Sequence, residues 1–199
     1  MIDKPAGLAS HAGPSGGPSV EDWFGLWRRR DGPWLVHRLD ADTSGCLVIA
    51  LRKTALLAAQ ALFASGQAGK TYWAIVRGQP PAEEGVIDRP LARHTGPAGW
   101  RMVSDPAGQT AVTAWRVRGS AEGLTWLELH PRTGRTHQIR VHCAELGCPI
   151  LGDVRYGGGA GPMHLVSRAI TLALDPSVAA TADPPPRMQA AFRACSWRG

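Results

Sequence analysis

The sequence predicts an α+β fold in which strands outnumber helices. Short apolar runs of strand length recur along the chain, while only a few segments have helical spacing. Strands and helices do not alternate strictly, which argues against a doubly wound parallel sheet. With 199 residues, 44% of them hydrophobic, the chain is long enough for one domain with a sizeable core.

The first thirty residues predict a loop followed by a helix. The opening stretch is rich in Gly, Pro and Ser, so a loop is expected after a few residues of strand. A helix is expected over 19–30, where Ser19 is a candidate cap and Trp23, Leu26 and Trp27 have helical spacing.

A strand pair and a helix are predicted next. The apolar runs 33–39 and 46–51 predict two strands joined by the polar loop "DADTSG". The alanine- and leucine-rich segment that follows predicts a helix with Thr54 as its N-cap and Gly66 just past its end.

Alternation of apolar residues predicts a strand over 70–78, with Tyr72 on one face and Trp73 on the other. Ile139, Cys143 and Leu146 recur at helical spacing after a turn at Gly134. The remaining expectations are two or three short strands between 80 and 123, a strand at 124–130, a helix over 136–147, a strand near 163–174 and a short terminal helix after the prolines at 184–186.

The charge of the chain predicts a polyanionic partner, with nucleic acid as the first candidate. The net charge is +6, and all but three of the 22 basic residues are arginines. Arginine is suited to pairing with phosphate and stacking on bases. The four cysteines have no C-x-x-C spacing, and no signal peptide or membrane-length apolar run is present, so a cytoplasmic protein without a membrane partner is expected. A monomer is the default expectation.

Four clusters of functional residue types lie at the ends of predicted elements, where side chains are displayed for chemistry. They are "KPAG" at 4–7, "HRLDADTSG" at 37–45, "KTYWAIV" at 70–76 and "RTGRTHQIRVH" at 132–142. Arg140 is next to the apolar helix stripe, so it is expected to be partly buried and to need an anion. Asp40 is the candidate, and the residues alone leave open whether the pair is structural or catalytic.

Other chemistries fit the sequence less well. His130, His137 and His142 lack the spacing of common zinc sites and have arginine neighbours, so no metal site is predicted. Ser44 is not within a G-x-S-x-G elbow. Asp42 is the only nearby partner for a two-carboxylate glycosidase, and it is equally suited to an Asx-turn.

Together the clusters resemble the motifs of the RluA-type RNA pseudouridine synthases. That family has a KPxG loop, an HRLDxxTSG block, a K-x-Y strand, a TGRxHQ(L/I)RVH helix start and a G-x-P-I-x-GD-x-x-YG segment. His37 before Arg38 favours this branch over the related one that begins the block with Gly. In this chain the motifs occupy 4–7, 37–45, 70–72, 133–142 and 147–157.

The resemblance implies a pseudouridine synthase fold: a mixed, largely antiparallel sheet flanked by helices, with a central basic active-site cleft. It implies one catalytic domain over 1–199 without a separate RNA-binding module. The implied reaction converts uridine in structured rRNA or tRNA to pseudouridine, without cofactor or metal. The reacting nucleotide is flipped out of its stack.

By the same resemblance, the catalytic residues are Asp40, Tyr72 and Arg140. Asp40 matches the essential aspartate, which attacks C1′ or removes a proton at C2′. Tyr72 matches the ring that packs on the uracil, and Arg140 matches the basic partner of the aspartate. Ile139 and Thr43 are expected to line the pocket.

Six basic residues are expected to contact RNA, and Arg38 among them matches the arginine that fills the space of the flipped base. The set is Lys4, His37, Arg38, Arg132, Arg135 and His137. The chain departs from the family pattern where "LVSR" at 165–168 replaces an "LHA" strand. An RNA-binding protein without turnover and a nucleosidase remain as alternatives, and the arginine-rich clusters argue against the second because a free nucleoside has no phosphate.

Overall fold

The structure is a computed structural model, and it describes residues 1–13, 16–27, 31–97 and 99–199. The strands are β1 (Ile2–Lys4), β2 (Trp34–Leu35), β3 (Ser44–Leu47), β4 (Ile49–Ala50), β5 (Gly69–Arg77), β6 (Glu84–Asp88), β7 (Leu91–Gly96), β8 (Gly99–Ser104), β9 (Val112–Ala121), β10 (Leu124–Pro131), β11 (Leu165–Leu172) and β12 (Val178–Thr181). The helices are a 3₁₀ helix (Val20–Trp27), α1 (Lys53–Ala64), α2 (Gln138–Glu145) and α3 (Pro186–Ala194).

The chain forms two compact units. The first unit consists of Met1–Lys70 and Val166–Pro185, and the second consists of Thr71–Leu165 and Pro186–Gly199.

In the first unit, four strands pair in the order β1, β3, β11, β12. The β1–β3 and β11–β12 pairs are antiparallel, and the β3–β11 pair is parallel. A separate antiparallel pair joins β2 to β4. The core packs Ala59 of α1 against Val36, Val48, Ile170 and Leu172.

Strand β3 is buried along its whole length, and Gly45 lies where it passes between two neighbours. Gly45 pairs with Lys4 of β1 on one side and with Ser167 of β11 on the other. Its φ of +105° is in the region that favours glycine, and an added Cβ would overlap the Ser167 carbonyl oxygen. The glycine of the "TSG" motif therefore permits this close strand contact.

In the second unit, four antiparallel strands are arranged in the order β5, β10, β9, β6, and β7 and β8 form a hairpin. Ala74 and Val76 of β5 pack into a core with Ile139 and Cys143 of α2. On the alternate positions of β5, Trp73 contacts Trp126 and Phe192 of α3, so β5 is packed on both faces.

The predicted fold class is confirmed: the fold is α+β, and all of the strand pairs described above except β3–β11 are antiparallel. Strands β5, β10 and β11 and helices α1, α2 and α3 occupy the predicted segments, and Gly66 follows α1 with φ of +73°. Among the described residues, no helix is both long and apolar enough to cross a membrane.

The strand predicted over 33–39 is wrong beyond Leu35. Val36 donates its amide to the Val48 carbonyl, but the backbone then turns to side-chain partners instead of a neighbouring strand. For the Leu39 backbone this partner is the Ser10 side chain, as described below. The apolar pattern at 33–39 therefore indicates burial of residues such as Leu39. It does not indicate continuous hydrogen bonding to a neighbouring strand.

The helix predicted over 19–30 is a 3₁₀ helix, and residues 28–30 lie outside the described part of the chain. Val20 is the one fully buried residue of this helix, and Trp23 and Leu26 are 48% and 77% exposed, so little apolar burial is available to stabilise an α-helix here. The N-cap of α1 is Arg52, not Thr54, and it makes no side-chain capping bond. Between 80 and 123 the described residues form four strands instead of two or three, and β9 has ten residues.

Replacing Gly45 with alanine should lower the free energy of unfolding by about 2 kcal/mol or more, because the new Cβ meets the β11 backbone at an unfavourable φ. Urea unfolding monitored by circular dichroism measures the loss. Gly13→Ala is the matched control, since an added Cβ there has no atom within 4 Å, and it should change stability by less than about 0.5 kcal/mol. Equal stability of the two variants would contradict the packing described for β3.

Candidate active site

Asp40 lies at the start of a tight turn in the first unit. It is half-buried, and its carbonyl accepts a hydrogen bond from the Thr43 amide at 3.1 Å. Thr43 is 2% exposed, which fits its predicted place on a pocket wall, whereas Arg38 is exposed. The turn therefore presents a carboxylate beside a solvent-accessible guanidinium on the same short segment.

Lys4 fixes this turn through hydrogen bonds to backbone carbonyls. Its side chain is fully buried, and its ammonium donates hydrogen bonds to the carbonyls of Leu8 at 2.7 Å, Pro5 at 2.8 Å and Ala41 at 3.0 Å. The Gly7 amide donates to the same Ala41 carbonyl at 2.8 Å. The "KPAG" loop is thus joined to the Asp40 turn, and a direct RNA contact by Lys4 would require its ammonium to leave these carbonyls.

Ser10 fixes the residue that precedes Asp40. Its buried hydroxyl donates to the Leu39 carbonyl at 2.8 Å and accepts from the Leu39 amide at 3.0 Å. One side chain therefore satisfies both backbone polar groups of Leu39, which an adjacent strand would otherwise have paired. This is the physical reason why the apolar segment continues to Asp40 without being a strand.

The His37 side chain makes contacts within the first unit. Its ring stacks on Phe63 at 4.8 Å, and its Nε2 accepts a hydrogen bond from the Val48 amide at 3.1 Å. Burial lowers the pKa of His37 to about 4, with a smaller contribution from nearby Lys70. The imidazole is therefore neutral at physiological pH, and any RNA contact it made would be uncharged.

In the second unit, the loop before α2 is organised by Gln138. Its Oε1 accepts from the Thr133 hydroxyl at 2.7 Å and the Arg135 amide at 3.0 Å. Its Nε2 donates to the Val112 carbonyl and the Thr113 hydroxyl. Arg135 is exposed but is anchored through Nε to the Thr110 carbonyl at 3.0 Å, and Arg132 is exposed.

Arg140 is buried, as the sequence predicts, and it forms an ion pair with Asp153. Nε donates to Asp153 Oδ2 at 2.7 Å and Nη2 donates to Oδ1 at 2.8 Å, with the two side chains 8% and 0% exposed. Asp153 Oδ1 also accepts from the amides of Arg155 and Tyr156. The Tyr156 ring lies 5.2 Å from the Arg140 guanidinium carbon. The guanidinium is thus fixed by a carboxylate and an aromatic face.

His137 starts α2 in a left-handed conformation, with φ of +53°. Its Nδ1 is 2.8 Å from the Tyr156 hydroxyl, which also accepts from the Met102 amide at 3.1 Å. Burial raises the pKa of Tyr156, so this hydroxyl stays protonated and can donate to His137. The imidazole is therefore positioned by β8 and by the turn that follows Asp153.

Tyr72 and Ile139 belong to one apolar cluster. Ile139 is a buried member of the second-unit core, and the half-buried Tyr72 packs against the same cluster. The packing of Tyr72 on the uracil and the place of Ile139 on the pocket wall stay predictions. The predicted pairing of Arg140 with Asp40 would join residues of different units, and it remains a prediction.

The three histidines considered for a metal site have separate partners. His142 is within 2.8 Å of the Thr113 hydroxyl and 3.1 Å of the Arg89 carbonyl, while His130 is close to Thr71 and Glu128. Within the described ranges, no group of three or more His, Cys, Asp or Glu side chains is arranged to hold a metal ion.

Sequence reasoning missed the structural role of Asp153, Tyr156 and Ser10. The first two stand in the motif at 147–157, where an aspartate inside an apolar and glycine-rich segment is a signal of burial with a partner. Ser10 had no such signal, because a serine in a loop is usually solvated.

The arrangement supplies the groups that nucleic-acid chemistry requires. The first unit presents a carboxylate on a firmly held turn, and the second presents a fixed guanidinium with an aromatic ring in an apolar wall. Such groups can act as nucleophile or base, as an electrostatic partner and as a stacking surface for a planar base.

Comparison with known proteins gives one family. The model for RNA pseudouridylate synthases matches residues 1–145. An uncharacterized RNA pseudouridine synthase of Zymomonas mobilis is 44% identical over 164 residues, which cover 79% of this chain and 74% of the relative. A mitochondrial RNA pseudouridine synthase of Arabidopsis thaliana is 38% identical, with coverage of 79% and 38%.

A solved structure is similar over almost the whole chain. The human RNA pseudouridylate synthase domain containing 4 protein superposes with a TM-score of 0.82 at 27% identity, covering 98% of this chain and 88% of that one. The chain spans about a third to just over half of the length of several other curated relatives that it matches.

Asp153→Asn should lower the free energy of unfolding by about 3–5 kcal/mol, because it removes the carboxylate charge that forms two hydrogen bonds with the buried Arg140 guanidinium. Chemical denaturation measures the loss. Asp88→Asn, the same change at an exposed position of the same unit, is the control and should have an effect below about 0.5 kcal/mol. The double variant Arg140→Met with Asp153→Leu should recover much of the stability; failure to recover would show that the ion pair is not the cause.

Acidification from pH 6.5 to pH 4 should lower stability, because the unfolded chain protonates His37 in this range while the folded chain does not. The stabilisation is complete above about pH 6.5 and is lost as the pH falls towards 4. Since one pKa unit corresponds to about 1.4 kcal/mol, the loss is a few kcal/mol at most.

The test is His37→Gln, which keeps an acceptor for the Val48 amide and should flatten the stability curve in this window. Denaturant midpoints at several pH values measure it, with the exposed His94→Gln as control. The pKa values of His142 and His164 are also lowered by burial, so part of the slope should remain. An unchanged slope in His37→Gln would contradict the assignment.

Proposed function

Because this chain belongs to the RNA pseudouridine synthase family, we propose that it isomerises uridine to pseudouridine in structured rRNA or tRNA. The main observation behind this proposal is the family match over residues 1–145. The matched region includes the complete "HRLDADTSG" block with Asp40 on its turn. The bonds from Lys4, Gly7 and Ser10 support the proposal, because they hold the segment around the carboxylate in a defined conformation.

The proposed reaction begins with extrusion of the target nucleotide, since a stacked base cannot be reached. Exposed Arg38 fills the vacated space and offsets part of the unstacking free energy, which is a few kcal/mol. The N-glycosidic bond between C1′ and N1 then breaks, the uracil rotates, and a bond forms between C1′ and C5. The proton on C5 leaves and N1 gains one, so the product is an isomer.

Asp40 is the proposed catalytic carboxylate, acting at C1′ as a nucleophile or at C2′ as a base. Arg140 is its proposed basic partner, which favours the ionised carboxylate. Tyr72 holds the detached uracil by ring contact or assists proton removal at C5, with Ile139 and Thr43 on the pocket wall. A water-excluding pocket is required, because water would otherwise hydrolyse the cleaved intermediate.

RNA backbone contacts are proposed for Arg132 and Arg135, whose exposed guanidinium groups suit phosphate, whereas Arg38 occupies the space of the flipped base. Neutral His37, half-buried His137 and buried Lys4 contribute mainly by shaping the loops that carry these arginines. We propose that residues 1–199 act as one catalytic domain around a central basic cleft.

The protein is proposed to act as a monomer in the cytoplasm, without metal or cofactor. The Arabidopsis relative is named as mitochondrial, so the compartment requires its own measurement. Fractionation of cells and detection of the chain with an antibody would test the compartment.

Asp40→Asn should reduce tritium release from RNA labelled at uridine C5 by at least about a thousandfold, because the amide can neither attack nor accept a proton. The substrate is total RNA from cells that lack the gene. Asp42→Asn is the matched control, since Asp42 is exposed in the same turn and should leave release within about twofold.

Wild-type protein that binds this RNA but releases no tritium would support an RNA-binding protein without turnover. Persistent release from Asp40→Asn would show instead that the catalytic carboxylate is misassigned.

A further inference from the structure

The β7–β8 hairpin carries an indole that is surrounded by basic side chains. The guanidinium carbons of Arg93 and Arg155 lie 4.7 and 5.2 Å from the centre of the Trp100 ring. The His137 ring stacks on the same indole at 5.3 Å, with the planes 23° apart. We call Trp100, Arg93, Arg155 and His137 the Trp100 cluster.

The members of the cluster come from three parts of the second unit: the β7–β8 hairpin, the start of α2 and the turn after Asp153. Arg93 and Trp100 are diagonal neighbours on one face of the hairpin, since Thr95 pairs with Trp100. Arg155 donates from Nη1 to the Trp100 carbonyl at 2.7 Å, and its amide is bound by Asp153. Both guanidinium groups therefore lie near one ring, and that of Arg155 is also fixed by a hydrogen bond.

No carboxylate neutralises these arginines within their own segments. Residues 89–104, 131–144 and 154–165 contain no Asp or Glu. Asp88, Asp105, Glu145 and Asp153 flank these segments, and Asp153 is buried and paired with Arg140. The two guanidinium carbons are 4.7 and 5.2 Å from one ring centre, so they are at most about 10 Å apart. This is about the Debye length at 0.1 M salt, so the two charges repel each other.

An anion bound by both guanidinium groups would remove this repulsion. Arg93 and Arg155 are exposed, so such an anion can approach from solvent. Guanidinium forks match phosphate geometry, and stacking on an indole reduces the freedom that each arginine loses on binding. Because His137 and the arginines already contact the indole, Trp100 itself is poorly suited to stacking on a base.

We propose that Arg93 and Arg155 together bind a backbone phosphodiester of the substrate RNA, and that Trp100 holds the two guanidinium groups in place. The contact positions the RNA and is independent of base sequence. The identity of the occupant as substrate RNA rests on the proposed function, whereas the phosphodiester site rests on the cluster itself.

The test compares RNA affinity across variants of the full chain that carry Asp40→Asn to prevent turnover. The probe is a fluorescein-labelled 20-nucleotide RNA stem-loop with uridines in its loop, and anisotropy is measured from 50 to 200 mM KCl. Arg93→Gln and Arg155→Gln should each raise Kd about 3–10-fold and lower the slope of log K against log salt by about 0.7–0.9. Since both bind one phosphate, the double variant should lose less than the sum of the two.

Two further variants separate this site from general charge effects. Arg116→Gln removes the same charge from an exposed arginine that pairs with Glu84 at 2.7 Å, and it should leave the slope unchanged. Trp100→Leu keeps both charges but removes the ring that holds them, and it should raise Kd about 3-fold or more with unchanged net charge. Circular dichroism and denaturant unfolding confirm that each variant is folded.

The proposal is overturned if Arg93→Gln and Arg155→Gln leave the slope unchanged, or if Arg116→Gln lowers it equally. It is also overturned if the variants weaken binding of a 20-residue poly-glutamate but not of the stem-loop, which would indicate an acidic protein partner.

A separate turnover assay uses variants with Asp40 intact and tritiated RNA, where Arg93→Gln and Arg155→Gln should raise KM and leave kcat within about twofold. Absence of wild-type turnover with a normal salt response would refute the enzymatic function while leaving the phosphodiester site supported. Normal turnover without any effect on Kd or KM in the variants would refute the site alone.

Discussion

The buried charge of Arg140 is the constraint on which the organisation of the second unit depends. A guanidinium that is almost fully buried must have a counter-charge and hydrogen-bond acceptors, because an uncompensated ion there would cost several kcal/mol. Asp153 meets this requirement with two short bonds. The same carboxylate accepts the amides of Arg155 and Tyr156, so the ion pair also determines the turn that follows it. That turn places the Tyr156 hydroxyl against His137 and Met102, and it brings Arg155 to Trp100.

In the first unit, buried side chains likewise supply hydrogen-bond partners around Asp40. Here the groups that need partners are backbone carbonyls and amides in a segment that is not part of a ladder. The Lys4 ammonium and the Ser10 hydroxyl bond to Ala41 and Leu39, on either side of the carboxylate. A motif lysine that would be expected on the surface is therefore an internal support. In both units, some motif residues that the sequence suggests for ligand binding are buried. They help to position the exposed motif residues.

This division explains why the basic character of the chain is concentrated in exposed arginines. Lys4 and Arg140 are buried and bonded internally, so their charge is not offered to a partner at the surface. Arg38, Arg132 and Arg135 are exposed on loops held by buried polar contacts. Loops that are pre-organised in this way lose less conformational entropy when a polyanion binds, and each exposed arginine can then contribute more of its interaction to affinity.

The sequence by itself determined the α+β class, most of the longer elements and the family motifs. Alternation in β5 and the stripe of Ile139 and Cys143 were reliable because each reflects burial of one face, which local spacing records. The identities of Asp40, Tyr72 and Arg140 as candidate residues also came from sequence, through the order of the motifs. Their positions were less predictable, since Asp40 was expected at the end of a strand and lies on a turn.

Only the tertiary structure decided which partners the polar side chains have. The bond from Ser10 to Leu39, the pair between Arg140 and Asp153 and the basic side chains around Trp100 join residues that are 7 to 55 positions apart in the chain. Such partnerships follow from the packing of strands and loops against one another, and neither period 2 nor period 3.6 records them. Sequence spacing indicates which residues are buried. The tertiary structure determines which hydrogen-bond or ion-pair partner each buried polar group has.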